Sequence, residues 1–209
     1  MCVSTLLKHT VGPQTTIKVP KQIFRFMGSA IHIFFTASYE CRTAMKKILV
    51  KKRHSIRKSQ ATDLLARLTD QIGPSASLFH ADMIEVIETN ANISLFLVDK
   101  KPHLMDNGTW VFPTLKGAVQ VPFPERRVVV DAGAIPYVVN GADVMRPGIV
   151  SVTPDVKTGL PVQIVEERHG KPLAIGIALH DAAEISASTA GKMCKSLQHV
   201  GDEFWNLEL

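Results

Sequence analysis

The sequence lacks any apolar run approaching the ~18–20 residues that a membrane-spanning helix needs. The nearest candidate, Ile31-His32-Ile33-Phe34-Phe35, is short, carries a histidine and lies too deep in the chain for an ordinary signal peptide. A soluble, cytoplasmic protein with no membrane partner is expected. Cysteine is scarce: Cys2, Cys41 and Cys194 form no Cys-x-x-Cys pair, and an odd count of three argues against a disulfide framework. Cys194 has no activating neighbour in sequence and reads as an ordinary, partly buried thiol. The motifs of common enzyme chemistries are missing too. There is no Gly-x-Gly-x-x-Gly, no Gly-x-x-x-x-Gly-Lys-Ser/Thr, no His-Glu-x-x-His and no Gly-x-Ser-x-Gly. None of the eight histidines lies four residues from another with a carboxylate between, and Glu166-Glu167 would alternate faces on a strand. No catalytic residue, metal site or cofactor is expected.

What is present is a foldable chain with unevenly placed charge. Apolar residues make up 45% of 209, enough for a core in one or two domains, and charged residues at 21% are ordinary for a globular protein. The net charge is +5. Residues 1–44 are basic, with Lys8, Lys18, Lys21, Arg25 and Arg42 against Glu40. A second run, Lys46, Lys47, Lys51, Lys52, Arg53, Arg57 and Lys58, contains no acid, and the remainder of the chain is net acidic. A localised basic patch on an acidic body points to a polyanion-facing surface, although a solvated basic strand would look the same.

Four segments follow. Residues 1–44 show neither helical nor strand periodicity, and Met45 directly precedes a good strand start, so 1–44 is expected to be an upstream extension or a poorly ordered tail. Residues 45–120 read as a small α+β domain. A basic β segment leads to a helix capped by Ser59 with Leu64, Leu68 and Ile72 on one face and Leu65 at its edge, stopped by Gly73-Pro74. Ile84–Thr89 and 93–98 form a hairpin through Asn90-Ala91-Asn92, Lys100-Lys101-Pro102 is a break, and Asn107-Gly108 suits a type I′ turn. Residues 121–127, with Val121-Pro-Phe-Pro, are too proline-rich for a central strand and make the candidate linker. Residues 128–209 read as short strands around a short helix at Pro136-Tyr137-Val138, a hairpin across 162–179 and a helix capped by Asp181 with Glu184 in the capping-box position, which suits a small barrel.

The most specific motif is 128–150, VVVDAGAIPYVVNGADVMRPGIV. Together with Gly170-Lys-Pro-Leu-Ala-Ile-Gly176, Gly191-Lys192 and His199-Val-Gly-Asp-Glu-Phe-Trp205, it resembles the PUA domain, the module of pseudouridine synthases and archaeosine transglycosylases. That resemblance implies an RNA-binding pseudo-barrel. Trp110-Val-Phe-Pro-Thr-Leu115 followed by Val121-Pro-Phe-Pro124 resembles the two-domain family of the malignant T-cell-amplified sequence protein and its archaeal relatives, over about 45–209. The fold expected is therefore α+β: a small N-terminal α+β domain followed by a C-terminal PUA pseudo-barrel.

The family resemblance implies a non-catalytic, ribosome-associated translation factor. Its implied partners are RNA (ribosomal RNA or the tRNA acceptor end), the small ribosomal subunit and a density-regulated-protein-like factor acting in trans. The RNA-facing residues it implies are Gly133, Ala134 and Tyr137, with Arg146, Pro147 and Gly148. Gly133 would permit close ligand approach, the helix after it would offer N–H groups to phosphate, and Asp131 would cap the turn. The run Lys46, Lys47, Lys51, Lys52, Arg53, Arg57 and Lys58 is assigned to phosphate contact on charge alone. The alternative is an RNA-modification enzyme of pseudouridine synthase or tRNA-guanine transglycosylase type, or its accessory subunit; 46–127 is too small for either catalytic domain.

Overall fold

The computed structural model describes residues 48–207. Residues 1–44, the suspected start at Met45, and Lys46 and Lys47 of the basic run lie outside the described residues. The first sheet is an antiparallel meander in chain order: β1 (Val50–Ser55), β2 (Ile84–Thr89), β3 (Ser94–Val98), β4 (Lys101–Asp106) and β5 (Val111–Pro113). Helix α1 (Lys58–Ile72) links β1 to β2 through a 3₁₀ segment, Gly73–Phe79. Leu64, Leu68 and Ile72 are the buried face of α1, as their spacing requires, and Leu65 sits half-buried at the edge. Gly73 ends the helix at φ +56°, its N–H donating to the Thr69 carbonyl.

The second sheet runs β7 (Val144–Met145), β11 (Lys192–His199), β10 (Pro172–Ala178), β9 (Pro161–Glu166), β6 (Arg127–Val130), β8 (Ile149–Val152) and curls into a nearly closed barrel. Helix α3 (Ile135–Val138) lies between β6 and β7, and α4 (Ala182–Ala187) between β10 and β11. Strand β9 is buried along its whole length, paired with β10 on one side and parallel to β6 on the other. Val128, Val130, Val162, Ile164, Ala174 and Ala178 fill the barrel.

The two sheets share hydrogen bonds and core. Helix α2 (Leu115–Gln120) is capped by Thr114, whose hydroxyl accepts from the Gly117 N–H at 3.0 Å. The next residue, Leu115, donates its N–H to the buried Gln198 side chain of β11 at 2.9 Å. Gln163 of β9 donates to the carbonyls of Phe123 and Glu125 at 2.9 and 2.7 Å. Ile175 of β10 belongs to the first core, and Phe204 and Trp205 pack against it. The segment 121–127, expected as a linker, contains no strand before Arg127 and is pinned. Phe123 is fully buried, edge-on to Phe79 and Phe112 at 6.2 and 5.8 Å.

Several local expectations need correction. Helix α1 begins at Lys58, with Arg57 rather than Ser59 as its N-cap. The Gln60 side chain reaches back to accept the Arg57 N–H at 2.9 Å, the reciprocal half of a capping box. Lys101 and Pro102 are not a break but the start of β4. The chain turns at Asp99-Lys100, both with positive φ, and Pro102 sits where the β3–β4 register slips. Asn107-Gly108 is not a two-residue type I′ turn. Only Gly108 has positive φ, and the Asn107 side chain accepts the N–H groups of Thr109 and Trp110, closing a wider loop. Strands β7 and β11 and helix α2 were not anticipated.

Candidate nucleic-acid interface

Asp131 follows β6 and folds back on its own turn: its carboxylate accepts the Ala134 N–H at 2.8 Å, as expected of a cap. That turn sets the start of α3, where Pro136 has no N–H to satisfy. Tyr137 projects outward at 69% exposure, and Val138 points into the barrel. The chain returns through Gly141 at φ +80° into β7, then through a 3₁₀ turn, Arg146–Gly148, into β8. Between α3 and this return lies a groove of about 440 Å³, lined by Gly133, Ala134, Tyr137, Met145, Pro147 and Gly148 among others. Gly148 is required for the close approach of its two walls: a Cβ there would stand 2.8 Å from the Ala134 Cβ. Gly133 is less constrained: its negative φ is open to any residue, and a Cβ there would meet only the Asp131 Oδ1, at 3.3 Å.

Five of the six residues singled out in this part of the sequence therefore meet in one groove. Arg146 does not line it. Its guanidinium donates to the carbonyls of Ser188 and Ile149, both at 2.9 Å, so it fastens the loop behind Pro147 and Gly148. At the helix start the Ala134 N–H is committed to Asp131 and Pro136 has none, so neither of these two positions offers an N–H to a phosphate. Among the described residues no cation lines the groove. Asp143 does, and it is tied to Lys192 at 2.6 Å and to the Ser196 N–H at 2.8 Å. Burial opposes ionisation of Asp143, but these partners outweigh it and hold its pKa below the usual value. The groove is thus mainly apolar, with an exposed phenol at its mouth and carboxylates on its wall. Such a lining suits the flat face and amino edge of an unstacked base better than a phosphate. Met145, half-exposed in the groove, was missed; its strand, β7, is only two residues long and carries no periodic signal.

The basic run occupies β1 and the start of α1. Strand β1 is an edge strand exposed at every position, which places Lys51, Lys52 and Arg53 in solvent with Arg57 and Lys58 beyond them. Arg53 is paired with Glu85 at 2.6 Å, so its charge is partly compensated. Elsewhere, burial first and then Asp143 push the Cys194 thiol up to about 12, which leaves it protonated and unreactive.

Comparison with known proteins matches these features. The family model for the PUA domain fits residues 126–200. An uncharacterized protein of Methanocaldococcus jannaschii is 34% identical over 167 residues, covering 76% of this chain and 98% of the relative. Translation machinery-associated protein 20 of Saccharomyces cerevisiae is 31% identical over 132 residues, covering 60% of this chain and 73% of the relative. The crystal structure of a hypothetical protein from Pyrococcus horikoshii superposes with a TM-score of 0.68 at 34% identity, covering 74% of this chain and 98% of that one. The chain belongs to the family of PUA-domain proteins that includes translation machinery-associated protein 20 and the malignant T-cell-amplified sequence proteins.

Proposed function

We propose that this protein is a non-catalytic, cytoplasmic RNA-binding factor of translation. It engages the small ribosomal subunit, the tRNA acceptor end or both, in initiation, reinitiation or recycling. A density-regulated-protein-like factor acts with it in trans. The convergence of Gly133, Ala134, Tyr137, Pro147 and Gly148 on one groove of the PUA domain carries the reading. In this scheme the groove takes an unstacked base, with Tyr137 stacking on it, and the β1 run contacts phosphates.

Two experiments test it. Binding to tRNA and to single-stranded RNA should weaken with salt, with a slope of roughly 0.7 per phosphate neutralised. Tyr137→Ala should lower affinity about tenfold through lost stacking while leaving that slope unchanged. Sedimentation of cell extract on a sucrose gradient should carry the protein with small ribosomal subunits. RNA binding that is absent, or indifferent to salt, would overturn the proposal.

A further inference from the structure

A second groove, of about 420 Å³, separates α1 from the outer face of β1, β2 and β3. Its floor is Leu64, Val86 and Phe96; the first two are buried, and Phe96 is only half-buried. Its walls carry His54, Gln60, Asp63, Glu88 and Ser94. Arg67 also borders it, but Asp106 holds that guanidinium in two hydrogen bonds of 2.7 and 2.9 Å. Gln60 commits its side-chain oxygen to the Arg57 N–H, which leaves its amide group to donate. Asp63, three residues along the same face of α1, can only accept when ionised. Lys52 stands opposite Glu88 in the β1–β2 register, and Arg57 and Lys58 open α1 beside the groove.

This groove differs from the one in the PUA domain in having cations at its edge. It brings together a partly exposed aromatic ring, a donor next to an acceptor, and a basic strand. Those are the three elements that hold a nucleotide of single-stranded RNA: stacking, reading of a base edge, and phosphate contact. We propose that it is a second nucleotide site, distinct from the PUA groove, that takes one unstacked guanine. The N1–H and N2–H groups of guanine lie side by side and face one carboxylate, that of Asp63. Its O6 lies next to them, within the reach of a donor such as the Gln60 amide. The flanking phosphates fall to Lys52, Arg57 and Lys58. The inference rests on the RNA-binding reading above and adds a location and a base preference to it.

The test is a titration of the full-length, ¹⁵N-labelled protein with the pentanucleotides UUGUU and UUUUU, following amide shifts. Amides at Gln60, Asp63 and Ser94 report this groove, and those at Ala132, Ala134 and Tyr137 report the PUA groove. The expected result is saturable shifts of the first set with UUGUU, at about tenfold higher affinity than with UUUUU. Asp63→Asn should abolish that preference without altering the PUA set. Because Asp63 is exposed on α1, the variant should retain the wild-type spectrum elsewhere. Shifts confined to the PUA set would overturn this inference and leave the RNA-binding reading standing. Equal response to both oligonucleotides would overturn the guanine assignment, and no shift in either set would remove both readings.

Discussion

Replacing Gly148 by alanine should deform the PUA groove from within its wall. The added Cβ would lie 2.8 Å from the Ala134 Cβ, whereas apolar carbons settle at about 3.5–4.0 Å, so the walls must part by about 1 Å. Neither wall is loose. Ala134 donates to the Asp131 carboxylate at 2.8 Å and accepts from the N–H groups of Tyr137 and Val138, both at 3.1 Å. The Gly148 carbonyl accepts from the Asp131 N–H at 3.0 Å. Overpacking at a constrained position costs about 1–3 kcal/mol, and the rigidity here argues for about 2. For a folded unit of this size that is a fall in Tm of roughly 4–8 °C. Urea unfolding and thermal melts of Gly148→Ala, Ala134→Gly and the double variant form a closed cycle. Ala134→Gly removes the opposing methyl, so the double variant should recover most of the loss, and with it the RNA affinity that displacement of Tyr137 takes away. A Gly148→Ala protein as stable as wild type, or a loss that Ala134→Gly does not relieve, would refute the reasoning.

Charge reversal at Lys51 and Lys52 should weaken RNA binding and reduce the salt slope by roughly 0.7 for each phosphate no longer neutralised. An unchanged slope would take β1 out of the interface. Arg53 should matter less, since Glu85 already holds it. Lys100→Gly should stabilise the protein by about 1 kcal/mol in urea unfolding, because Lys100 adopts φ +65° in the β3–β4 turn; destabilisation would contradict that conformation. Asp181 accepts from the Thr158 N–H and hydroxyl, which depress its pKa. A carboxylate with a depressed folded pKa lends stability above its ordinary value near 4, and loses it as pH falls through the folded pKa. Thr158→Ala should therefore raise the Asp181 pKa in an NMR titration, shrink that contribution and bring the lower end of its pH window up toward the ordinary value. An unmoved titration would show that the Thr158 hydroxyl contributes nothing.

Much of this architecture was legible because periodicity and packing agree. Leu64, Leu68 and Ile72 announce α1, and Val128 and Val130 alternate inward on β6. What was hidden depends on residues far apart in sequence. Helix α2 is six residues long and contains Gly117, which reads locally as a breaker. It is glycine because the backbone of His103 leaves no room there for a Cβ. Strand β11 buries the polar Gln198, whose partners, Leu115 and Met105, lie more than eighty residues away. The Pro-Thr-Leu element was visible as a family mark, but its work of capping α2 and receiving Gln198 was not. At the groove, residue identities were readable and their roles only partly so. Arg146 looked like a ligand cation, and only the positions of Ser188 and Ile149 turn it into a brace.

Strand β11 begins beside the PUA groove, where Lys192 meets Asp143, and its far end, through Gln198, is fastened to α2 of the other sheet. Its eight residues measure roughly 25 Å at the usual strand rise. The strand ties the groove region to the first sheet. Under the proposed function, a single RNA reaching both the PUA groove and β1 must match a separation that the joined sheets have already set. Once one end has docked, the other is presented at a high effective concentration. Selectivity can then arise from the shape of an RNA, even where each binding point alone is weak and tolerant of sequence.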